Sequence, residues 1–398
     1  MDMDLIVLPL RYVSELRSIT NDKLDPLIAS FDDNAGLPKI IPMVIDELKF
    51  AFDKVLPKSD DGDWISASVY DMVLELSTRA AARAFVGEPI CRDETFLETS
   101  ASFSRNTFNT IASFRNLGST IGSLFGALVP SVSDAREQLV YVQQLLGSEV
   151  ERRRGCPEEA HDDFLGWCME LARTEEESKP EALAHRTLGI LSMAVVHTTA
   201  MATTHMLFDV IANPALRESL TKEQEEVLSL GWEEGIGQKA MLEMRRLDSL
   251  MRESQRFNPV GEFTFRRVVR EPISLSDGYK LQPGQQIGVL ARRINMDDNT
   301  IDNARSFDPL RWANQQGASA SFAHSSASNL HFGLGRYACP GRFFASYMIK
   351  AITSRLLLDF DFKLEDGNGS FRPPNTIQGD KILPNRDAMV LFRRRRRT

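Results

Sequence analysis

The amino-acid sequence predicts a mainly α-helical fold with small antiparallel β-sheets, in the α+β class. Up to about residue 257, apolar side chains recur every three or four residues, as at Val44, Leu48 and Phe52, which is the period of an amphipathic helix. Beyond residue 273, short alternating stretches are separated by Gly-containing turns, which is typical of antiparallel strands. No repeat or linker interrupts the 398 residues, so we predict one domain.

Each element follows from one of these two periods and from the turn residues that bound it. The predicted helices are 40–54, 66–86, 132–153, a short segment at 167–171, 180–213, 222–257 and one that opens with Pro340 after Cys339. The predicted strands are 273–275, 287–289, 360–362 and 388–392. The helix over 180–213 is apolar on most sides, so we expect it to be buried.

Composition excludes several classes of protein. A hydrophobic content of 42% allows a large core, and a net charge of -8 argues against a nucleic-acid partner. The four cysteines show no CxxC pairing, so neither a zinc site nor a disulfide framework is indicated, and a reducing, cytosol-facing location follows. We expect no signal peptide at residues 1–12 and no membrane span.

The most informative stretch runs from Asn329 to Ala345 and reads NLHFGLGRYACPGRFFA. Cys339 stands just before a predicted helix start, where backbone N–H groups favour negative charge, so we expect a thiolate with a lowered pKa. Gly333 and Gly335 allow a tight turn and a close approach to a flat group, beside the ring of Phe332. Taken singly, a buried structural cysteine or a phosphate loop would explain these residues.

The combination resembles the haem-binding signature of the cytochrome P450 family, F-x-x-G-x-x-x-C-x-G. Phe332, Gly335, Cys339 and Gly341 occupy its fixed positions. The resemblance implies the cytochrome P450 fold, a haem cofactor (iron-protoporphyrin IX) and Cys339 as the axial metal ligand. It also implies that Phe332, Gly333, Gly335 and Gly341 bind the cofactor.

Glu253 and Arg256 match the E-x-x-R motif of that family. Such a pair on one helix face is usually a surface ion pair. The resemblance implies instead a buried structural cluster, with Arg311 of the later segment FDPLRW as its third member.

The segment AVVHTT places His197 and Thr198 midway along the long helix. On its own it would be a core helix with back-bonded threonines. In the family a small residue, a glycine, an acid and a threonine stand here to hold oxygen and deliver protons. The resemblance therefore makes Thr198 and His197 the catalytic candidates, with His197 in place of the acid and Val195 in place of the glycine.

The haem propionates need cationic or hydroxyl partners. Arg266 and Arg267 follow Arg256 at the distance where the family supplies such an arginine, and Tyr337 lies two residues before Cys339. Arg266 and Tyr337 are our cofactor-binding candidates. An exposed pair of arginines on a strand explains Arg266 and Arg267 equally well.

Two family parts are missing from the sequence as read. We find no N-terminal membrane anchor, and residues 31–37 lead straight into a helix at Pro38, without the family's covering segment and its propionate contact. The family sits on the endoplasmic reticulum membrane, facing the cytosol. Without an anchor in this chain, peripheral membrane association stays open.

The resemblance to the cytochrome P450 family implies a haem-thiolate monooxygenase that oxidises an apolar small molecule. The same resemblance alone implies that this molecule is a terpenoid or polyketide intermediate of fungal secondary metabolism. The electrons of the monooxygenase would come from NADPH through a separate NADPH–cytochrome P450 reductase. Two alternatives remain: an isomerase or dehydratase that needs no external electrons, and an inactive remnant that binds no haem.

Overall fold

The computed structural model describes residues 5–17, 19, 24–26, 36–58, 62–125, 130–159, 161–315, 317–365 and 371–395. It confirms the predicted class, in which helices dominate and the sheets are small. The helices are α1 (Arg11–Leu16), α2 (Leu37–Val55), α3 (Val69–Val86), α4 (Glu94–Phe125), α5 (Pro130–Gly155), α6 (Phe164–Leu171), α7 (Glu175–Ser178), α8 (Pro180–Ile190), α9 (His197–Ile211), α10 (Pro214–Val227), α11 (Trp232–Gly235), α12 (Gln238–Glu243), α13 (Arg245–Phe257), α14 (Ala291–Asn295) and α15 (Arg342–Asp359).

The strands form four sheets within the described residues. They are β1 (Leu5–Val7), β2 (Leu24–Pro26), β3 (Ile65–Ser68), β4 (Phe263–Val269), β5 (Ile273–Ser274), β6 (Lys280–Leu281), β7 (Gln286–Leu290), β8 (Phe360–Leu364), β9 (Thr376–Gln378), β10 (Lys381–Leu383) and β11 (Met389–Arg394). The orders are β1-β7-β4-β2, β3-β11-β8, β5-β6 and β9-β10. All pairs are antiparallel except β1 with β7, which are parallel with Leu5 opposite Gln286.

The described residues divide into two compact units. One contains residues 36–56 and 71–200, and the other contains the described residues of 2–35, 57–70 and 201–398. The single-domain expectation stays a prediction. The expected gap near residues 31–37 falls mostly on residues 31–35, which lie outside the described part of the chain.

In the first unit, helices bury the apolar stripes that predicted them. Ile40, Val44, Leu48 and Phe52 of α2 are all buried, and the four-residue spacing puts them on one face. Asp163 caps α6, because its carboxylate accepts a hydrogen bond from Gly166 N at 2.8 Å. Between α8 and α9 the helix widens into a π-turn at Leu191–Val196.

The second unit differs from the expectation in its longest predicted helix. The segment 222–257 is broken into α10 to α13. Gly231 takes a φ of 86°, a conformation that glycine adopts without strain. The break lets Trp232 turn inward, where its Nε1–H donates to Ala351 O at 3.0 Å. The predicted strand at 287–289 lies within β7, which pairs with β4 and β1, while β5 pairs with β6 alone.

By length and composition, one helical run in the described residues, Pro180–Ile211, could cross a membrane. More than half of its apolar stretch is buried in the protein. A core helix of a soluble protein has the same character, so the run is weak support for a span.

Candidate active site

The loop that carries Cys339 is folded back on itself by its own backbone. Cys339 N donates to Phe332 O at 2.6 Å, and residues Gly335–Tyr337 form a single 3₁₀ turn between them. Gly341 is the N-cap of α15, whose first helical residue is Arg342. The helix therefore starts two residues later than predicted, and Pro340 lies in the turn before it.

The two upstream glycines are required by the conformation of this loop. Gly333 and Gly335 have φ values of 73° and 68°, which other residues adopt only with strain. A Cβ on Gly333 would also lie 3.1 Å from Tyr337 O. Gly341 is different, because its φ is -76° and a Cβ there would meet Cys339 Sγ at 3.9 Å, an ordinary contact that would still narrow the space beside the thiol.

The Cys339 side chain is accessible to solvent, yet protein surrounds it closely enough to affect its ionisation. Burial raises the pKa of the thiol, while the backbone of Gly341 and the charge of Arg342 act to lower it. The expected lowering of this pKa was wrong, because desolvation disfavours the thiolate more strongly than the backbone N–H groups stabilise it.

An aromatic pair supports the loop from behind. The ring of Phe332 meets that of Phe322 edge-to-face, with centroids 5.2 Å apart and an interplanar angle of 89°. Phe322 is buried, and its N–H donates to Asp248 Oδ2 at 2.7 Å. Sequence reasoning missed Phe322, because nothing in its local pattern distinguishes it from other apolar loop residues.

Of the two neighbouring arginines, the structure turns Arg267 inward and leaves Arg266 exposed. A register shift in β4 between Thr264 and Arg267, with Phe265 at a φ of 52°, decides which side chain faces in. The Arg267 guanidinium lies 4.9 Å from the ring centroid of Tyr337.

Arg267 is a buried cation without an anion. Burial lowers the pKa of its guanidinium, and no carboxylate forms an ion pair with it among the side chains that the structure describes. A buried charge of this kind is costly unless it is compensated. This position therefore suits an anionic ligand beside the Cys339 loop, which favours Arg267 over the predicted Arg266.

Glu253, Arg256 and Arg311 form one buried cluster. Arg256 Nε and Nη2 donate to Glu253 Oε2 and Oε1 at 2.9 and 2.7 Å, and Arg311 Nε reaches Oε1 at 3.3 Å. The remaining guanidinium N–H groups donate to backbone carbonyls of residues 295–306. Such bidentate pairs fix geometry, so the cluster holds the segment that leads from α14 toward Phe322.

Another buried arginine of α13, Arg252, went unnoticed in the sequence. It stacks 3.7 Å over the ring of Trp312 and donates to Ser319 O at 2.5 Å. Burial, together with the charges of Arg252 and Arg256, lowers the pKa of His331 to about 3. His331, one residue before Phe332, is therefore a neutral imidazole at physiological pH.

In the first unit, His197 and Thr198 open α9 directly after the π-turn. His197 Nε2 lies 2.6 Å from Ala101 O, and the Thr198 hydroxyl donates to Ala194 O at 2.6 Å. Ala194 is exposed, and both His197 and Thr198 are partly accessible. π-turns inside helices are frequent at functional sites, and this one directly precedes His197 and Thr198 in the chain.

The residues of the Cys339 loop fit a thiolate-ligated haem. Among the described residues no group of three or more His, Cys, Asp and Glu side chains could hold a metal ion. A single accessible cysteine is a soft ligand of the kind that holds haem iron. The accessible thiol, the tight glycine turn and the buried Arg267 guanidinium, which has no carboxylate partner among the described side chains, would supply a ligand, room and an anion site.

The comparisons with known proteins agree with this chemistry. The cytochrome P450 family model matches residues 25–392, and the chain belongs to that family. It is a haem-thiolate monooxygenase of the fungal secondary-metabolism type, which takes electrons from a reductase and acts on an apolar substrate.

Curated relatives match along nearly the whole chain. A cytochrome P450 monooxygenase of Tolypocladium album, terP, is 66% identical and covers 99% of this chain and 84% of its own length. The cytochrome P450 monooxygenase ltmP of Epichloe festucae var. lolii is 59% identical, covering 100% of this chain and 85% of its own length. These alignments run over 421 and 424 positions, more than the 398 residues here.

The fold has a solved counterpart. The chain resembles the cyanobacterial protein CYP120A1, solved with retinoic acid bound, with a TM-score of 0.69 and 17% identity. The match covers 91% of this chain and 76% of that one. At this identity it supports the fold alone.

Proposed function

We propose that this chain holds haem through Cys339 and oxidises a terpenoid or polyketide intermediate in fungal secondary metabolism. The observation that carries the ligand assignment is the Cys339 loop, in which Gly333 and Gly335 close a turn that leaves the thiol accessible. When bound, thiolate-ligated haem supplies the activation of dioxygen. The protein supplies ligation, orientation and protons.

Cys339 would donate its sulfur as a thiolate. Burial raises the pKa of the thiol, while the backbone of Gly341 and Arg342 and the Arg342 charge act to stabilise the anion. Ligation of haem iron would require the deprotonated thiolate.

Arg267 and Tyr337 would bind a propionate. The support is the buried guanidinium over the Tyr337 ring and its lack of a carboxylate partner among the described side chains. A propionate would supply the missing negative charge through charge-assisted hydrogen bonds.

His197 and Thr198 would move protons on the substrate side. When His197 Nε2–H donates to Ala101 O, Nδ1 is the basic nitrogen of the ring. The Thr198 hydroxyl, donating to Ala194 O, keeps lone pairs that can accept a hydrogen bond from a neighbour. An imidazole ring can both accept and donate a proton, which suits a group that passes protons on.

Electrons would come from NADPH through an NADPH–cytochrome P450 reductase, and a place at the cytosolic face of the endoplasmic reticulum, by peripheral association, suits such a partner. The family supports these assignments.

The test is the absorbance spectrum of the purified protein after reduction and carbon monoxide binding. The wild-type protein should show the thiolate-type Soret band, and Cys339→Ala should lose it. Cys156→Ala, at a partly accessible cysteine with no such loop, is the control and should keep the band. A band in Cys339→Ala would overturn the ligand assignment.

The same preparation separates the alternatives. A protein that carries no haem after expression with excess haem precursor would be the inactive remnant. An isomerase or dehydratase would convert its substrate without NADPH and reductase. Product that forms only with both supports the monooxygenase.

A further inference from the structure

A small cavity lies inside the second unit, where α9, α13 and α15 meet. It measures about 10 Å³ and is lined mainly by apolar side chains, among them Ala202, Phe322 and Ile349. This volume is about what one water molecule needs, and it is too small for any organic ligand.

One residue of the cavity wall, Gln255, has a buried amide oxygen without a hydrogen-bond partner among the described residues. Gln255 is 7% exposed, and no described residue donates a hydrogen bond to its Oε1. An amide oxygen that is buried without a hydrogen-bond donor destabilises the fold, because it has lost its hydrogen bonds to water. A donor inside the cavity would remove this destabilisation.

The other polar groups in the wall are already bonded. His205 Nε2 lies 3.1 Å from Ile382 O, and its Nδ1 lies 2.9 Å from Arg372 Nη2. Asn258 donates to Ser254 O at 2.9 Å and accepts from Asn375 at 2.6 Å. Ser254 Oγ donates to Asp209 Oδ2 at 2.5 Å, and a hydroxyl that donates once can still accept.

We propose that one buried water molecule occupies this cavity and donates hydrogen bonds to Gln255 Oε1 and Ser254 Oγ. The water ties α13 to Asp209 of α9 through the Ser254 hydroxyl. It thereby extends the network in which Asp209 and His205 hold Arg372, ahead of β9. The proposal is independent of the haem ligand and of the substrate.

The first test is a crystal structure of the purified protein at a resolution that shows single waters. We expect one density peak at hydrogen-bonding distance from Gln255 Oε1, and its loss in Gln255→Leu. Gln224→Leu is the matched control. Gln224 is also fully buried, with an Oε1 that no described residue bonds, but it lies outside the cavity wall, so the peak should remain. An empty cavity in the wild type would overturn the proposal.

The second test uses the sign of a cavity-filling change. In a cavity without water, the added methyl groups of Ala202→Val would fill empty space and add packing contacts. In a cavity that holds a water molecule, they would expel it and leave Gln255 Oε1 without a hydrogen-bond donor. We therefore expect Ala202→Val to lower the melting temperature by several degrees more in the wild type than in Gln255→Leu. Valine has a lower helix propensity than alanine, but this destabilisation is the same in both backgrounds and therefore cancels in the comparison. Equal shifts in both would mean that no water is held there.

Discussion

The guanidinium of Arg267 lies 4.9 Å from the ring centroid of Tyr337 and 4.4 Å from that of Phe265. Two aromatic faces stabilise the cation but leave its net charge uncompensated. The neighbouring Arg266 is exposed, so adjacent positions of one strand offer a test and its control.

We predict that Arg267→Gln weakens haem binding by tenfold or more, since a charge-assisted hydrogen bond contributes about 1.5–3 kcal/mol. Haem retained through gel filtration, read as the ratio of Soret to protein absorbance, measures this. Arg266→Gln should retain haem as the wild type does. If the two variants lose haem equally, the propionate is bound elsewhere.

Breaking the Glu253 cluster should lower the yield of folded protein and leave the turnover number per bound haem unchanged. Glu253→Gln removes the charge that faces Arg256 and Arg311, and breaking a buried pair from one side typically costs about 3–5 kcal/mol. The yield of soluble, haem-loaded protein is the measurement. Glu262→Gln, which loses a partly exposed pair with Arg292 at 3.4 Å, should change it little. Normal yield from Glu253→Gln would contradict the structural role.

Thr198→Val should leave haem content unchanged but raise hydrogen peroxide released per NADPH consumed, because protons reach the bound oxygen less efficiently. Thr198→Ser keeps the hydroxyl and should restore coupling. Thr78→Val is the control, since Thr78 also bonds back to its own helix, at Leu74 O. Unchanged peroxide in Thr198→Val would make Thr198 a helix residue only.

His205 should make stability depend on pH. Burial, together with the charge of Arg372, lowers its pKa to about 4 from 6.5. The unfolded chain then binds a proton between pH 6.5 and 4 that the folded chain does not, so the free energy of unfolding falls as pH falls through that window. The full loss is about 3 kcal/mol.

Burial raises the pKa of Asp209, so its contribution to the pH dependence of stability has the opposite sign to that of His205. Comparison of the wild type with a His205 variant isolates the contribution of His205. Denaturant unfolding should show a shallower dependence over this pH range for His205→Gln. The exposed His185→Gln should behave as the wild type. Parallel curves for His205→Gln and the wild type would be inconsistent with a buried, neutral His205.

The sequence was most informative where local spacing sets the geometry. Glu253 and Arg256 are one helical turn apart, so their pairing is local. Gly333 and Gly335, upstream of Cys339, have positive φ values, which glycine adopts without strain. Where the direction of a side chain depends on pairing with a distant strand, the sequence did not predict that direction. The choice between Arg266 and Arg267 depends on a bulge in the pairing of β4 with β7, which alternation alone does not reveal.

The breaks in 222–257 were missed for a related reason. An apolar period continues across Gly231, but burial of Trp232 against α15 requires the chain to turn there. Tertiary packing overrides helix propensity at this point.

The π-turn at Leu191–Val196 also changes the angular phase of the helix. One extra residue in a turn rotates everything after it by roughly 100° about the helix axis. In an unbroken α-helix, Ala194 would repeat the buried face of Thr187 seven residues later. Instead Ala194 is exposed and Val196 is fully buried. Deleting a single residue from this turn would therefore swing His197 and Thr198 to another side of the helix while leaving the composition of its apolar stripe almost unchanged.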